Sequence, residues 1–154
     1  MAPLKVDTGT WVLVADSEKA LFLENIGDAQ NPHFELRRKK EQENPSDEEQ
    51  SANRPGRFND GPSVHRSAVQ DTDWHELAKD RFAEDLSDML YKRAHRGDFD
   101  KLVIVAGPEV LGRLRDGLHQ EVQSKLVAEV PKNLTHHAVN SIERRVAEAL
   151  AEQD

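Results

Sequence analysis

The residue types best suited to binding chemistry are concentrated in one stretch, NRPGRFNDGPSVHRSAV, at residues 53–69. Guanidinium groups bind phosphates through paired hydrogen bonds, so we predict phosphate contacts for Arg54, Arg57 and Arg66. Phe58 would stack on a partner or anchor the segment, and His65 lies among these cations. A long segment of this kind is either functional or a simple connection, and the sequence leaves both interpretations open.

A second group of side chains could support acid–base chemistry. Asp16 follows the first apolar run, and with His65 and His136 it would form a site that hydrolyses a phosphate or an ester. This hydrolase is the alternative to a binding site without catalysis. Aspartates in turns commonly bond their own backbone, which favours a structural role for Asp16. The pair His136 and His137 lacks the spacing of a metal site, so no metal or other cofactor is predicted.

Composition limits the classes of function. The chain has 154 residues, no cysteine and a formal net charge of -8, with 32% charged residues. This length predicts one domain, residues 1–154, and the lack of cysteine excludes disulfides and thiolate sites. Because the net charge is negative, contact with a polyanion needs a local basic patch. Residues 37–40, Arg-Arg-Lys-Lys, form a basic run, but acidic residues follow and a solvated charged surface is expected there.

The N-terminal region predicts no membrane segment. Its apolar run, residues 11–15, is far shorter than the roughly 20 residues that span a bilayer. No basic region or cleavage site of a secretory signal accompanies that run. We therefore expect a cytoplasmic protein without membrane contact.

Five segments are predicted as strands from their apolar pattern. Residues 10–15 and 101–107 are continuous apolar runs, which are typical of strands covered on both faces of a sheet. Residues 20–25 follow a polar turn and predict an antiparallel hairpin, and residues 33–39 alternate between apolar and polar side chains. The fifth strand is predicted at residues 125–130.

The first of three predicted helices spans about residues 74–95, after a long loop at about residues 40–72. Asp73 and Glu76 have the spacing of a capping box at its start. Its expected buried stripe comprises Trp74, Leu77, Ala78, Phe82, Leu86, Met89 and Leu90. Apolar residues that recur at three and four positions form one face of a helix, so this helix should pack on the sheet.

Two shorter helices follow. The second begins at Pro108, after Gly107, and Gly117 is a candidate for its end. The third is predicted at about residues 136–150, with Thr135 as its cap.

These elements predict an α/β domain with a ribonuclease H-like layout. The expected five-stranded mixed sheet has the order 3-2-1-4-5, with strand 2 antiparallel and helices on both faces. Strands 1 and 4 flank a switch in strand order, where such sheets bind ligands beyond the carboxyl ends of their strands. Gly107, Pro108 and Lys132 should lie at that edge with the cations of residues 53–69, and amides at a helix start attract anions. Metal-dependent nuclease activity is not predicted, because the interiors of strands 1 and 4 contain no acidic residue.

Several segments together resemble the bacterial host attachment protein family. They are GRFND and RSAV at residues 56–60 and 66–69, RFAEDLSDML at 81–90, FDKLVIVAGPEVLGRLR at 99–115, and VPKNLTHH at 130–137. The resemblance implies that Arg115, Lys132 and Thr135 belong to the predicted ligand site. Asn133 stands where the family more often has aspartate. The family name refers to attachment to host cells, which implies a protein-interaction role as a further possibility.

More remotely, that family is similar to the middle domain of archaeal and eukaryotic peptide release factors. In those factors, the loop between strand 3 and the first helix carries Gly-Gly-Gln and enters the peptidyl transferase centre of the ribosome. The present chain has a loop at the corresponding position but contains no Gly-Gly-Gln, which opposes peptidyl-tRNA hydrolysis by that mechanism. Together with the cations described above, the resemblance predicts a non-catalytic module that binds RNA or the ribosome.

Overall fold

A computed structural model describes residues 5–42 and 67–152, with side chains from residue 74 onward in the second range. The strands are β1 (Trp11–Ala15), β2 (Lys19–Asn25), β3 (Phe34–Glu41), β4 (Leu102–Ala106) and β5 (Leu126–Val130). The helices are α1 (Ser67–His95), α2 (Pro108–Gly117), α3 (Gln120–Gln123) and α4 (Val139–Glu152). The predicted succession of strands and helices is confirmed, with the single turn α3 as an addition.

The five strands form one mixed sheet in the order β3-β2-β1-β4-β5. Strand β2 is antiparallel to both β1 and β3, whereas β1, β4 and β5 are parallel. The predicted ribonuclease H-like order and orientation are therefore confirmed. The carboxyl ends of β1, β3, β4 and β5 meet along one side of the sheet, which we call the carboxyl edge; the other side is the amino edge.

Helices cover both faces of the sheet. Every residue of β1 and β4 is buried, as their continuous apolar sequences predict. On one face, Leu13 and Ile104 pack in a cluster with Leu86 and Leu90 of α1. On the other face, the cluster is completed by α4, through Ile142, Val146 and Leu150. Burying each such large apolar side chain stabilises the fold by about 1.5–3 kcal/mol.

Helix α1 is longer than predicted. It already includes Ser67, so Asp73 and Glu76 lie inside it and the predicted capping box is wrong. The 29 residues of α1 rise by about 1.5 Å each, giving about 43 Å in total. A five-residue strand covers only about 17 Å. The helix therefore continues beyond the sheet.

Two residues of the predicted α1 stripe are exposed. Trp74 is 53% exposed and Leu77 is 44% exposed. At about 100° per residue, Leu77 lies about 180° around the helix from the buried Leu86. Trp74 likewise lies about 160° from the buried Leu90. The buried stripe begins at Phe82, where α1 first packs against the sheet.

The predicted start of the last helix is also wrong. Helix α4 begins at Val139, and its first turn is closed by the Ile142 amide, which donates to the Ala138 carbonyl at 2.9 Å. Thr135 therefore does not cap α4, and its hydroxyl bonds to a residue on a distant strand. The predicted end of α2 at Gly117 is confirmed.

Length alone would allow α1 to span a membrane, since about 20 residues suffice. Its sequence is interrupted throughout by charged side chains, including Glu84, Asp88 and Lys92. Within residues 5–42 and 67–152, no helix is both long and apolar enough to cross a bilayer.

Candidate functional site at the carboxyl edge

The carboxyl edge has its switch point between β1 and β4. Ala15 and Ala106, the last residues of these strands, are paired in the parallel ladder. Asp16 and Gly107 therefore leave the sheet side by side, at the point where the strand order reverses. Open α/β sheets bind ligands at such a point because the chain segments diverge there and leave a crevice.

Asp16 is held by bonds from both of its carboxylate oxygens. Oδ1 accepts from the amides of Glu18 and Lys19, each at 2.7 Å, and so closes the turn between β1 and β2. Oδ2 accepts from the Thr135 hydroxyl at 2.6 Å. The first pair of bonds is the structural role expected of an aspartate in a turn. The bond to Thr135 joins residues 119 positions apart and was not predicted.

Thr135 is almost completely buried, with 1% exposure. Its hydroxyl also lies 3.0 Å from Oδ1 of Asn133, and its amide donates to that oxygen at 3.3 Å. One hydroxyl has one proton, and the shorter, charged contact identifies Asp16 as its acceptor. The β5–α4 connection is thereby attached to the end of β1, which lies two strands away in the sheet.

Two cationic or ionisable side chains of the same connection face solvent. They are Lys132 and His136, and both are exposed. Nε2 of His136 lies 3.8 Å from Asp16 Oδ2, so a protonated His136 forms an ion pair with that carboxylate. This distance is too long for a direct hydrogen bond. The structure therefore brings together the predicted residues Asp16, Lys132, Thr135 and His136.

Gly107 and Pro108 form the start of α2 at this edge. Gly107 has an extended backbone and no side chain to cap the helix, and Pro108 occupies the first turn without an N–H group. The first helical bond is donated by Leu111 to the Gly107 carbonyl at 2.9 Å. Amides that precede this bond have no helical acceptor, which is the usual basis of anion attraction at a helix start.

Arg115 points toward β5 rather than into the crevice. Its guanidinium binds the Glu129 carboxylate through Nε at 3.0 and 3.1 Å and through Nη2 at 2.5 Å. These hydrogen bonds and the charge of Glu129 raise the pKa of Arg115. A ligand that used Arg115 would have to share it with Glu129.

Arg113 has no predicted role in the site, yet it forms more ion pairs than Arg115. Its guanidinium binds Glu76 Oε2 at 2.5 Å, Glu109 Oε1 at 3.0 Å and the Asp80 carboxylate. The hydrogen bonds to Glu76 and Glu109 raise the pKa of Arg113. In turn, Arg113 and Lys79 lower the pKa of Glu76. Arg113 thus joins the first half of α1 to α2, a link that sequence spacing alone cannot reveal.

We expect Arg113→Gln to lower the free energy of unfolding by about 1 kcal/mol at pH 7, the scale of a partly exposed ion-pair network. Because the pKa of Glu76 is below its ordinary 4.5 in the fold, this stabilisation is complete above pH 4.5. It is lost as the pH falls through the lower, folded pKa. Urea unfolding at several pH values should therefore show a difference from wild type that shrinks in acid.

The exposed Arg144 of α4 supplies the matched control for that experiment. Arg144→Gln should show a much smaller difference from wild type, with little change between neutral and acidic pH. A difference for Arg113→Gln that stays constant or grows in acid would contradict the role assigned to these ion pairs.

The basic run at residues 37–40 is largely neutralised by ion pairs. Arg37 binds Glu24 at 3.0 Å and Glu35 at 2.9 Å. Lys39 binds Glu41 at 2.8 Å, and Lys40 lies 4.0 Å from an Asp85 oxygen on α1. The expected charged surface at the sheet border is therefore present; Arg38 is exposed, and the described side chains provide no ion pair for it.

The remaining candidates lie outside the described residues. They are Arg54, Arg57, Phe58, His65 and Arg66. Within the described part of the chain, no group of three or more histidine and acidic side chains is placed to hold a metal ion.

The topology and its edge define the class of protein as a ribonuclease H-like α/β domain. A family model for the bacterial archaeo-eukaryotic release factor family 12 matches residues 9–146. Because this match covers most of the chain, the protein belongs to that family. A search of curated proteins finds no match. The family match confirms the predicted relationship to release factors and does not extend to a role in host attachment.

Proposed function

We propose that this protein is a translation-related binding module that contacts ribosomal RNA through its carboxyl edge. The observation that carries the proposal is the family match over residues 9–146, which includes all five strands and the crevice between β1 and β4. In release factors, the loop between strand 3 and the first helix enters the ribosome. The corresponding connection in this chain follows β3 and contains Arg54, Arg57 and Arg66.

The described residues support an exit of that connection at the carboxyl edge. The amide of Gln42 donates to the Glu18 carbonyl at 2.7 Å, beside the β1–β2 turn. Its side-chain Nε2 donates to the Ala78 carbonyl of α1 at 2.9 Å. The last described residue before the connection is therefore fixed between two elements of the carboxyl edge.

The chemistry of the edge suits a polyanion. Lys132 and His136 are exposed there, and Gly107 and Pro108 begin a helix whose first amides attract anions. We propose phosphate contacts by Arg54, Arg57 and Arg66, with Phe58 and His65 beside them. Thr135 is buried, so its proposed role is to position Lys132 and His136 rather than to touch the ligand. Since the net charge is -8, binding should depend on this local patch and weaken steeply with salt.

A hydrolase is the second candidate, favoured by the approach of His136 to Asp16 at 3.8 Å. A carboxylate beside an imidazole can orient it for proton transfer. However, Asp16 already accepts two amide bonds and the Thr135 hydroxyl bond, which accounts for its position without catalysis. Turnover of a phosphate or ester substrate that is lost in His136→Gln would favour the hydrolase over the binding module.

The proposal is tested by co-sedimentation of the protein with ribosomes over a salt series. The informative variant is Arg54→Ala/Arg57→Ala/Arg66→Ala. The logarithm of the association constant falls with the logarithm of the salt concentration, and loss of three phosphate contacts should make this slope shallower by about 2–3. The matched control, Arg96→Ala/Arg144→Ala/Arg145→Ala, removes the same charge away from the carboxyl edge and should bind like wild type. Failure of the wild-type protein to bind ribosomes at low salt would contradict the proposal.

A further inference from the structure

Trp74 is an exposed aromatic residue that belongs to neither of the two hydrophobic clusters of the described side chains. The chain has two tryptophans. Trp11 is 4% exposed and packs in the core, whereas Trp74 has more than half of its surface in solvent. An exposed tryptophan is unusual because its ring is among the largest apolar surfaces that a side chain can bury.

The position of Trp74 is close to the proposed binding edge. Ala78, one helical turn further along α1, accepts the side-chain bond of Gln42, where the described part of β3 ends. Lys40 lies 4.0 Å from Asp85, two further turns along α1. Trp74 therefore stands on the part of α1 that continues past the sheet on its carboxyl side.

A cation accompanies the ring. The guanidinium carbon of Arg81 lies 5.9 Å from the Trp74 ring centroid, within the range of a cation–π contact. Among side chains from residues 5–42 and 74–152, no carboxylate oxygen lies within 4.0 Å of the Arg81 guanidinium. The nearby acids Glu76 and Asp80 are instead bound to Arg113. Among the described side chains, the cation beside the ring thus has no acidic partner of its own, and the acids Glu76 and Asp80 are paired with Arg113.

We infer that Trp74 is a stacking platform for an unpaired RNA base, with Arg81 contacting the adjacent phosphate. Aromatic rings combined with neighbouring cations are the general means of binding single-stranded nucleic acid. A protein partner fits less well, because stable interfaces engage about 20–30 residues a side. Among the described side chains, the exposed large apolar residues at this place are Trp74 and Leu77. This inference rests on the proposed contact with RNA and adds a base-binding residue to it.

The test compares two short single strands of equal length and charge, an oligoadenylate and an abasic strand. Wild type should bind the oligoadenylate more tightly, and its tryptophan fluorescence should be quenched on binding, because a stacked purine contacts the Trp74 ring. Trp74→Ala should weaken binding of the oligoadenylate by about 5- to 150-fold, the effect of losing one stacked base. Binding of the abasic strand should be unchanged, and Trp74→Phe should recover most of the loss.

Two controls make the outcome specific. Ile26 is 43% exposed at the amino edge, so Ile26→Ala removes a comparable exposed apolar side chain and should leave binding unchanged. Trp11 is buried, so any quenching by the strand reports on Trp74. Equal binding of oligoadenylate by wild type and Trp74→Ala, with ribosome binding intact, would overturn the stacking role and leave the binding module standing. Absence of wild-type ribosome binding at low salt would overturn both.

Discussion

Replacement of Asn25 by aspartate is expected to lower the free energy of unfolding by about 3–4 kcal/mol. Asn25 has no exposed surface, and its Nδ2 group donates to the carbonyls of Val6 at 2.9 Å and of Asp7 and Asp28 at 3.3 Å. A carboxylate would place a charged oxygen against these carbonyl oxygens instead of a donor. The fold would then bury a charged group with one of its oxygens facing only acceptors.

The other half of the Asn25 amide explains why alanine should not rescue the fold. Oδ1 accepts from the amides of Gly27 at 3.0 Å and His33 at 2.8 Å, which fixes the path of the β2–β3 connection. Alanine would remove both acceptor and donor, so the amides of Gly27 and His33 and the carbonyl of Val6 would lose these bonds. We expect Asn25→Ala to be destabilised by a similar amount.

Urea unfolding measures both variants directly. Asn140→Asp is the matched control, because Asn140 is exposed in the first turn of α4. A carboxylate there should leave stability unchanged or slightly raised, since it interacts favourably with the helix start. A loss below about 1 kcal/mol for Asn25→Asp would show that this amide does not hold the amino edge together.

Replacement of Asp16 by alanine has the second largest expected effect on stability, a loss of about 2–4 kcal/mol. Three donors lose their acceptor, namely the amides of Glu18 and Lys19 and the hydroxyl of Thr135. The hydroxyl is buried and the Lys19 amide is partly buried, so water cannot fully replace the lost bonds. The Thr135 bond should be the largest single part, because its donor is almost completely buried and a hydrogen bond to a charged group contributes up to about 1.5–3 kcal/mol.

A double-mutant cycle isolates that bond. Thr135→Val removes the hydroxyl at almost constant volume, and Asp16→Ala removes its acceptor. The double variant should lose about 1–2 kcal/mol less free energy of unfolding than the sum of the two single variants, because each single change already breaks the same bond. Asp16→Asn is the control, since its Oδ1 can still accept from Glu18 and Lys19. Additive effects of Asp16→Ala and Thr135→Val would contradict a direct link between β1 and the β5–α4 connection.

The sheet could be predicted from sequence because burial leaves a local pattern. Residues 11–15 and 102–106 must be apolar throughout when helices cover both faces, and they are central strands in the structure. Once these strands were assigned, the short hairpins and helical connections left one economical strand order. The carboxyl edge followed from that order, and with it the neighbourhood of Gly107 and Lys132.

The parts that were not predicted depend on contacts between distant residues. Threonine is a residue type that often caps a helix. The Thr135 hydroxyl instead bonds to Asp16 at the end of β1, a contact that only the folded sheet brings about. Trp74 and Leu77 fit a helical period, but periodicity does not tell where a helix stops covering the sheet. The ion pairs of Arg113 likewise require the spatial meeting of α1 and α2.

The proposed contact of the carboxyl edge with ribosomal RNA is tested most directly by photo-crosslinking from single positions. A photoreactive side chain at position 132, in place of the exposed Lys132, would face the proposed partner. The same group in place of the exposed Gln30 would stand at the amino edge as a control. We predict crosslinks to ribosomal RNA from position 132 that disappear at high salt, and none from position 30. Equal crosslinking from both positions, or crosslinks from position 30 alone, would contradict RNA binding through the carboxyl edge.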